Sequence, residues 1–120
     1  MSRQVLVVED DPELLRSLVS FLQAEGYRVE SARHGLEALG RLRGGCRPDV
    51  ILLDLMMPIM TGWEFRDAQR RDSELSRIPV IVVSGMNDSA RHAAWLEADG
   101  YMQKPIPVET LIETLNRYCD

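Results

Sequence analysis

A chain of 120 residues, 45% hydrophobic and 28% charged, can bury one core as a single domain over residues 1–120 without disulfide or metal staples. Its net charge of -5 argues against a nucleic-acid surface, which needs clustered positive charge. No apolar run reaches the length of a membrane span and the first residues carry no signal-peptide pattern, so the expectation is a cytoplasmic protein without membrane contact.

Residues 5–8 form a short apolar run that ends in Glu9, Asp10 and Asp11. Asp11-Pro12-Glu13 reads as a helix start, with an aspartate cap, a proline at the first position and an acid in the first turn. Leu14, Leu18, Phe21 and Leu22 follow at helical spacing, and Gly26 closes the helix. With Asp11 used as a cap, Glu9 and Asp10 are left at the strand tip with no structural job. Residues 27–31 read as a weak strand at an edge, and residues 36–42 as a helix ended by Gly44-Gly45.

Val50 to Leu53 are apolar without alternation, which marks a strand buried on both faces, so residues 49–53 are predicted as a central parallel strand. Asp54 stands at its end, too far ahead of the next helical pattern to cap it, and Pro58 keeps the following loop out of helix. A helix over 60–71 is carried by Trp63, Phe65 and Ala68, with Glu64, Arg66, Arg70 and Arg71 as its solvated face. Residues 79–83 are a fourth strand, ending at Ser84-Gly85. Asn87, Asp88 and Ser89 offer caps for a helix over 90–96, whose apolar stripe of Ala93, Ala94 and Trp95 is thin. Residues 100–103 are a fifth strand, followed by Lys104-Pro105. Val108, Leu111, Ile112, Leu115 and Tyr118 form the last helical stripe, with Pro107 in its first turn. Five strands alternating with five helices imply a doubly wound α/β domain with a parallel sheet covered on both faces.

Strands of a parallel sheet end on one side, so Glu9, Asp10, Asp54, Ser84 and Lys104 converge there. Thirteen of the fourteen basic residues are arginine; Lys104 is the exception, a compact ammonium on a flexible stem. Three carboxylates at close quarters repel one another, and a divalent cation relieves them; all-oxygen ligands favour magnesium over zinc or copper. A carboxylate, a hard cation, a lysine and a hydroxyl suit phosphoryl transfer to an aspartate, because the transferred group spreads charge over three oxygens. Cys46 and Cys119 lack metal-ligand spacing and read as free thiols.

The stretches 5–11 (Val-Leu-Val-Val-Glu-Asp-Asp), 49–58 (Asp-Val-Ile-Leu-Leu-Asp-Leu-Met-Met-Pro), 81–85 (Ile-Val-Val-Ser-Gly) and 100–105 (Gly-Tyr-Met-Gln-Lys-Pro) occur in order. In them the chain resembles the receiver domains of bacterial two-component response regulators, the CheY-like family, over essentially its whole length. The resemblance implies a flavodoxin-like strand order 2-1-3-4-5. By position it makes Asp54 the phosphoacceptor, Glu9 and Asp10 the acidic pair for Mg2+, and Met56 the source of a backbone carbonyl ligand. Ser84 and Lys104 match the phosphate-binding hydroxyl and lysine, Tyr101 matches the aromatic switch residue, and Lys104-Pro105 is expected to be cis. It further implies a sensor histidine kinase or histidine phosphotransfer protein as donor. The output partner is expected on the face of the fourth helix, fifth strand and fifth helix, with the chain a monomer or a phosphorylation-linked dimer.

Some positions depart from the family pattern. Gly85 stands where alanine is usual, with a looser loop as the expectation. Met56 and Met86 flank the acceptor and are expected to limit attack by water. Thr61 replaces an acid or amide, with no consequence legible in the sequence. A haloacid-dehalogenase-type hydrolase would need a second acid where Met56 stands, and Glu9-Asp10-Asp11 would repel the phosphate of a flavodoxin-type cofactor. A receiver-like interaction module that works without phosphorylation remains the alternative; it predicts loss of a key residue, and none is lost. His34 and His92 read as surface histidines, and Trp63 and Trp95 as core or docking surface.

Overall fold

The computed structural model describes residues 3–85 and 89–119. The chain alternates β1 (Gln4–Val8), α1 (Pro12–Ala24), β2 (Arg28–Ala32), α2 (Gly35–Arg43), β3 (Val50–Asp54), α3 (Gly62–Arg70), β4 (Val80–Ser84), α4 (Ser89–Trp95), β5 (Gly100–Gln103) and α5 (Val108–Tyr118). All strand pairs are parallel, in the order β2-β1-β3-β4-β5, as the resemblance implied. A 3₁₀ turn, Leu75–Arg77, which the sequence reading lacked, leads into β4.

Successive strand residues face opposite sides, and each side has its own core. Val5, Val7, Leu52, Ile81 and Val83 pack under α1 and α5, against Leu15, Leu18, Leu22, Leu111 and Leu115. Leu6, Val8, Ile51 and Leu53 pack under α2 and α3, against Leu39, Leu42 and Phe65. A smaller cluster of Leu55, Val82, Ala93 and Leu96 lies under α4. Every residue of β3 and β4 is buried, so truncating Leu52 to alanine is expected to cost roughly 2–5 kcal/mol.

The helix starts are chemically explicit. Asp11 accepts from the N–H groups of Glu13 and Leu14 at 3.0 and 3.3 Å, with Pro12 behind it. Gly26 leaves α1 at φ 95, where a side chain is disfavoured. His34 caps α2 through Nδ1, which accepts the Glu37 N–H at 3.2 Å, so this histidine has a structural task. Thr61 and Glu64 form a reciprocal capping box at α3, 3.2 Å one way and 3.0 Å the other.

The structure corrects several expectations. β2 starts at Arg28, one residue later than read, and α1 buries Leu15 where Leu14 was expected. α3 begins at Gly62 because Thr61 is its cap. Arg66 is buried, not solvated, because its guanidinium bonds main-chain carbonyls of the α4–β5 connection. Trp95 is 81% exposed; Ala93 and Leu96 are what α4 buries. Pro107 is the cap residue of α5, and Val108 is exposed. Met86 and the caps Asn87 and Asp88 lie outside the described residues, as does the side chain of Ser89. Cys46 and Cys119 are free, and among the described residues no helix is long and apolar enough to cross a membrane.

Candidate functional site

The carboxyl edge of the sheet gathers the surplus polar residues. Glu9 follows β1, Asp54 ends β3, Ser84 ends β4, and Lys104 follows β5. The backbone N–H of Lys104 donates to Ser84 O at 2.9 Å, prolonging the β4–β5 ladder and delivering the lysine to this rim. The Lys104-Pro105 bond is cis, as expected.

One carboxylate oxygen each from Glu9, Asp10 and Asp54 lies within 4.8 Å of the others. Lys104 Nζ is 2.7 Å from Glu9 Oε1 and 3.7 Å from Asp54 Oδ1. Glu9 also accepts the Asp11 N–H at 3.1 Å, which ties the cluster to the start of α1. Glu9 and Asp54 are buried and Asp10 is exposed, so the cluster opens to solvent on the Asp10 side.

Like charges about 4 Å apart repel by about 4 kcal/mol at an effective dielectric of 20. One lysine cannot absorb that for three acids: a formal charge of -2 remains, which a single divalent cation cancels. The strain is visible in Asp54. Burial and the Glu9 charge, aided by a hydrogen bond with Asp10, push its carboxyl up to about 7, against the opposing pull of Lys104 and the Met56 N–H. Lys104 moves the other way from what burial alone would dictate: the hydrogen bond to Glu9 and the surrounding carboxylates raise it. Three hard oxygen donors, two of them buried and one facing water, fit a partly hydrated magnesium ion.

Ser84 is fully buried one residue beyond the β3–β4 pairing of Asp54 with Val83. Tyr101 pairs with Val82 in register, so it shares a sheet face with Ser84, but its side chain is half-exposed at the edge and stands outside the acid cluster. The Met56 side chain is exposed at the rim. A Cβ on Gly85 would meet nothing within 4 Å, so space does not demand glycine there.

Two features of the β3–α3 loop escaped the sequence reading. A Cβ on Gly62 would lie 2.6 Å from Asp54 O and 2.7 Å from Leu55 Cα, so only glycine lets α3 approach the backbone behind Asp54. Ile59 has φ 67, rare for a β-branched residue, inside a tight turn in which Met60 N–H donates to Pro58 O at 2.6 Å. The Thr61-x-x-Glu64 box was the available signal for the start of α3; nothing in the sequence marks Ile59. Beside the cluster, a cleft of about 510 Å³ runs between α1 and the β5–α5 loop, with Leu14, Phe21, Ile106 and Val108 in its wall and Asp11 and Lys104 at its rim.

Comparison with known proteins agrees with this geometry. The family model of the response regulator receiver domain matches residues 5–116. The chain is 35% identical over 120 residues to the polar-differentiation response regulator DivK of Brucella anthropi, covering 98% of this chain and 97% of that one. The Vibrio cholerae chemotaxis protein CheY4 superposes with a TM-score of 0.87 at 34% identity, covering 98% of this chain and 99% of the other. The response regulator TrrA of Thermotoga maritima, solved in complex with Mg(2+)-BeF, has a TM-score of 0.83 at 28% identity, covering 97% and 98%. A receiver fold, a matching family model and an acid cluster at the carboxyl edge lead to one assignment: the chain belongs to the response regulator receiver domains.

Proposed function

We propose that this receiver domain is a phosphorylation-operated switch in which Asp54 accepts a phosphoryl group from the phosphohistidine of a sensor kinase or phosphotransfer protein. The observation that carries the reading is the crowding of Glu9, Asp10 and Asp54 around one lysine, a cluster that added positive charge would relieve. Glu9, Asp10, Asp54 and the Met56 carbonyl would hold a divalent cation, and the Thermotoga relative solved in complex with Mg(2+)-BeF supports magnesium as that ion. Bound there, magnesium supplies the charge neutralisation that lets Asp54 stay ionised.

An Asp54 carboxylate oxygen then forms the new bond to phosphorus as the donor's N–P bond breaks, and the leaving imidazole takes a proton. Lys104, 3.7 Å from Asp54, is placed to exchange its Glu9 contact for a phosphoryl oxygen. The Ser84 hydroxyl would bond another oxygen, and Tyr101, on the same sheet face, would turn inward behind it. That remodels the face of α4, β5 and α5 for a downstream protein partner. The apolar cleft between α1 and the β5–α5 loop has Lys104 of the site in its lining, so a helix of the donor seated there would bring its histidine to the carboxyl edge of the sheet. The reading makes the chain a cytoplasmic phosphoacceptor, not a turnover enzyme, and Met56 a shield against water; a Met56→Asn variant is expected to lose its phosphoryl group faster.

Intact mass after exposure to acetyl phosphate tests the reading. One phosphoryl group should appear with magnesium and disappear in Asp54→Asn. No gain with magnesium would leave a receiver fold acting as a scaffold.

A further inference from the structure

α4 is fastened at one end by a device that the acid cluster does not use. The chain leaves α4 through Glu97 at φ 55, a left-handed position filled by a residue other than glycine. Glu97 N–H donates to Ala94 O at 3.1 Å and Ala98 N–H to Ala93 O at 2.9 Å, the bond pair of a Schellman cap. The carbonyls of Leu96 and Glu97 are both taken by α3: Arg66 Nε donates to Leu96 O at 3.0 Å and Nη2 to Glu97 O at 2.7 Å. Arg66 Nη1 donates to Gln69 Oε1 at 2.8 Å, and Gln69 Nε2 donates to Leu75 O and Ile78 O. Arg70, one turn along, pairs with the Glu97 carboxylate.

Beyond the cap, Asp99 N–H donates to Val80 O and its carboxylate accepts the Val80 N–H, both at 2.8 Å, and Tyr101 follows two residues later. A planar guanidinium bound in three directions fixes orientation as well as distance, and a cation suits the negative end of a helix. Elsewhere in α4 the hold is slight: among its described side chains only Ala93 is buried, and His92 meets the Trp63 ring edge-on at 5.4 Å.

We propose that Arg66 is a positioning residue of the switch, fixing the carboxyl end of α4 as a pivot so that occupancy of Asp54 displaces the amino end of α4 and Tyr101 but not Leu96 to Asp99. This rests on the reading of Asp54 as phosphoacceptor. It assigns the direction of the motion to this chain's own α3.

Trp63, through His92, reports the middle of α4, and Trp95 reports its carboxyl end. In Trp95→Phe, the remaining Trp63 should change its emission when beryllofluoride and magnesium are added, because His92 moves against it. In Trp63→Phe, the remaining Trp95 should stay silent, and adding Arg66→Met should make it respond. Glu97→Gly, which keeps the carbonyls bound by Arg66, should leave Trp95 silent. A Trp95 that responds as strongly as Trp63 in the parent background, or stays silent with Arg66→Met, overturns the pivot.

Hydrogen exchange without the mimic separates this result from failure of the phosphoacceptor reading. Arg66→Met should speed exchange of the Leu96, Glu97 and Ala98 amides about tenfold or more relative to β4 amides, since charged hydrogen bonds are lost. Unchanged exchange overturns the clamp even if beryllofluoride binds. Absence of any stabilisation of the parent by beryllofluoride overturns the phosphoacceptor reading, while the exchange comparison still decides the clamp.

Discussion

The two edges of the sheet use the same residue type for opposite purposes. At the amino edge, Asp49 accepts the Gln4 N–H at 2.9 Å and returns its own N–H to Gln4 O at 2.8 Å. Asp99 does the same with Val80. Each carboxylate there has a backbone donor, and each ties one strand start to the next. At the carboxyl edge, Glu9, Asp10 and Asp54 face one another and share a single ammonium. One edge is locally satisfied and structural. The other is satisfied only when something positive joins it, which is what a ligand-gated site requires.

Breaking the contrast at Asp54 has the largest expected effect. Asp54→Asn should abolish magnesium-dependent phosphoryl acceptance while raising the melting temperature of the metal-free chain, because it removes one of three crowded carboxylates. Phosphotransfer assays and thermal unfolding read the two sides.

A pH profile sharpens the same contrast. Asp54 keeps its proton up to about 7, against 3.8 for an ordinary carboxyl. Between those values Asp54 holds more proton in the folded chain than in the unfolded one, so its contribution to stability is greatest below the window. That contribution falls as pH rises through the window. Thermal melts from about pH 4 to pH 8 should show this slope in the metal-free parent, with magnesium or Asp54→Asn flattening it.

The amino edge should behave in reverse. Asp49→Ala or Asp99→Ala should cost about 1–2 kcal/mol by denaturant unfolding, each leaving a strand N–H without its acceptor. Neither should alter magnesium-dependent phosphorylation. The smallest effect belongs to a cap: Thr61→Ala should cost about 1 kcal/mol of stability by the same measurement.

The strands and the acid cluster were legible because their signals are local. Val50 to Leu53 cannot alternate if both faces are buried, and Glu9 and Asp10 stand idle once Asp11 is spent as a cap. Arg66 was not legible. An arginine at a helical position reads as solvated, and two of its three partners here are main-chain carbonyls thirty and thirty-one positions along the chain, which no side-chain pattern records. Trp95 failed for a related reason: the residue next to it, Leu96, is the one α4 turns inward, and a seven-residue helix has too few turns to reveal its phase. Thr61 differed again. Its capping box with Glu64 was present in the sequence, while the need for Gly62 appears only when Asp54 O is seen against α3.

Borohydride trapping after incubation with acetyl phosphate and magnesium tests the central claim most directly, because it reduces an acyl phosphate to an alcohol and marks the residue that carried it. The account predicts that peptide mass analysis finds the conversion at Asp54 alone, with homoserine in its place. Conversion at Glu9 or Asp10 instead, or none at any of the three, would contradict it.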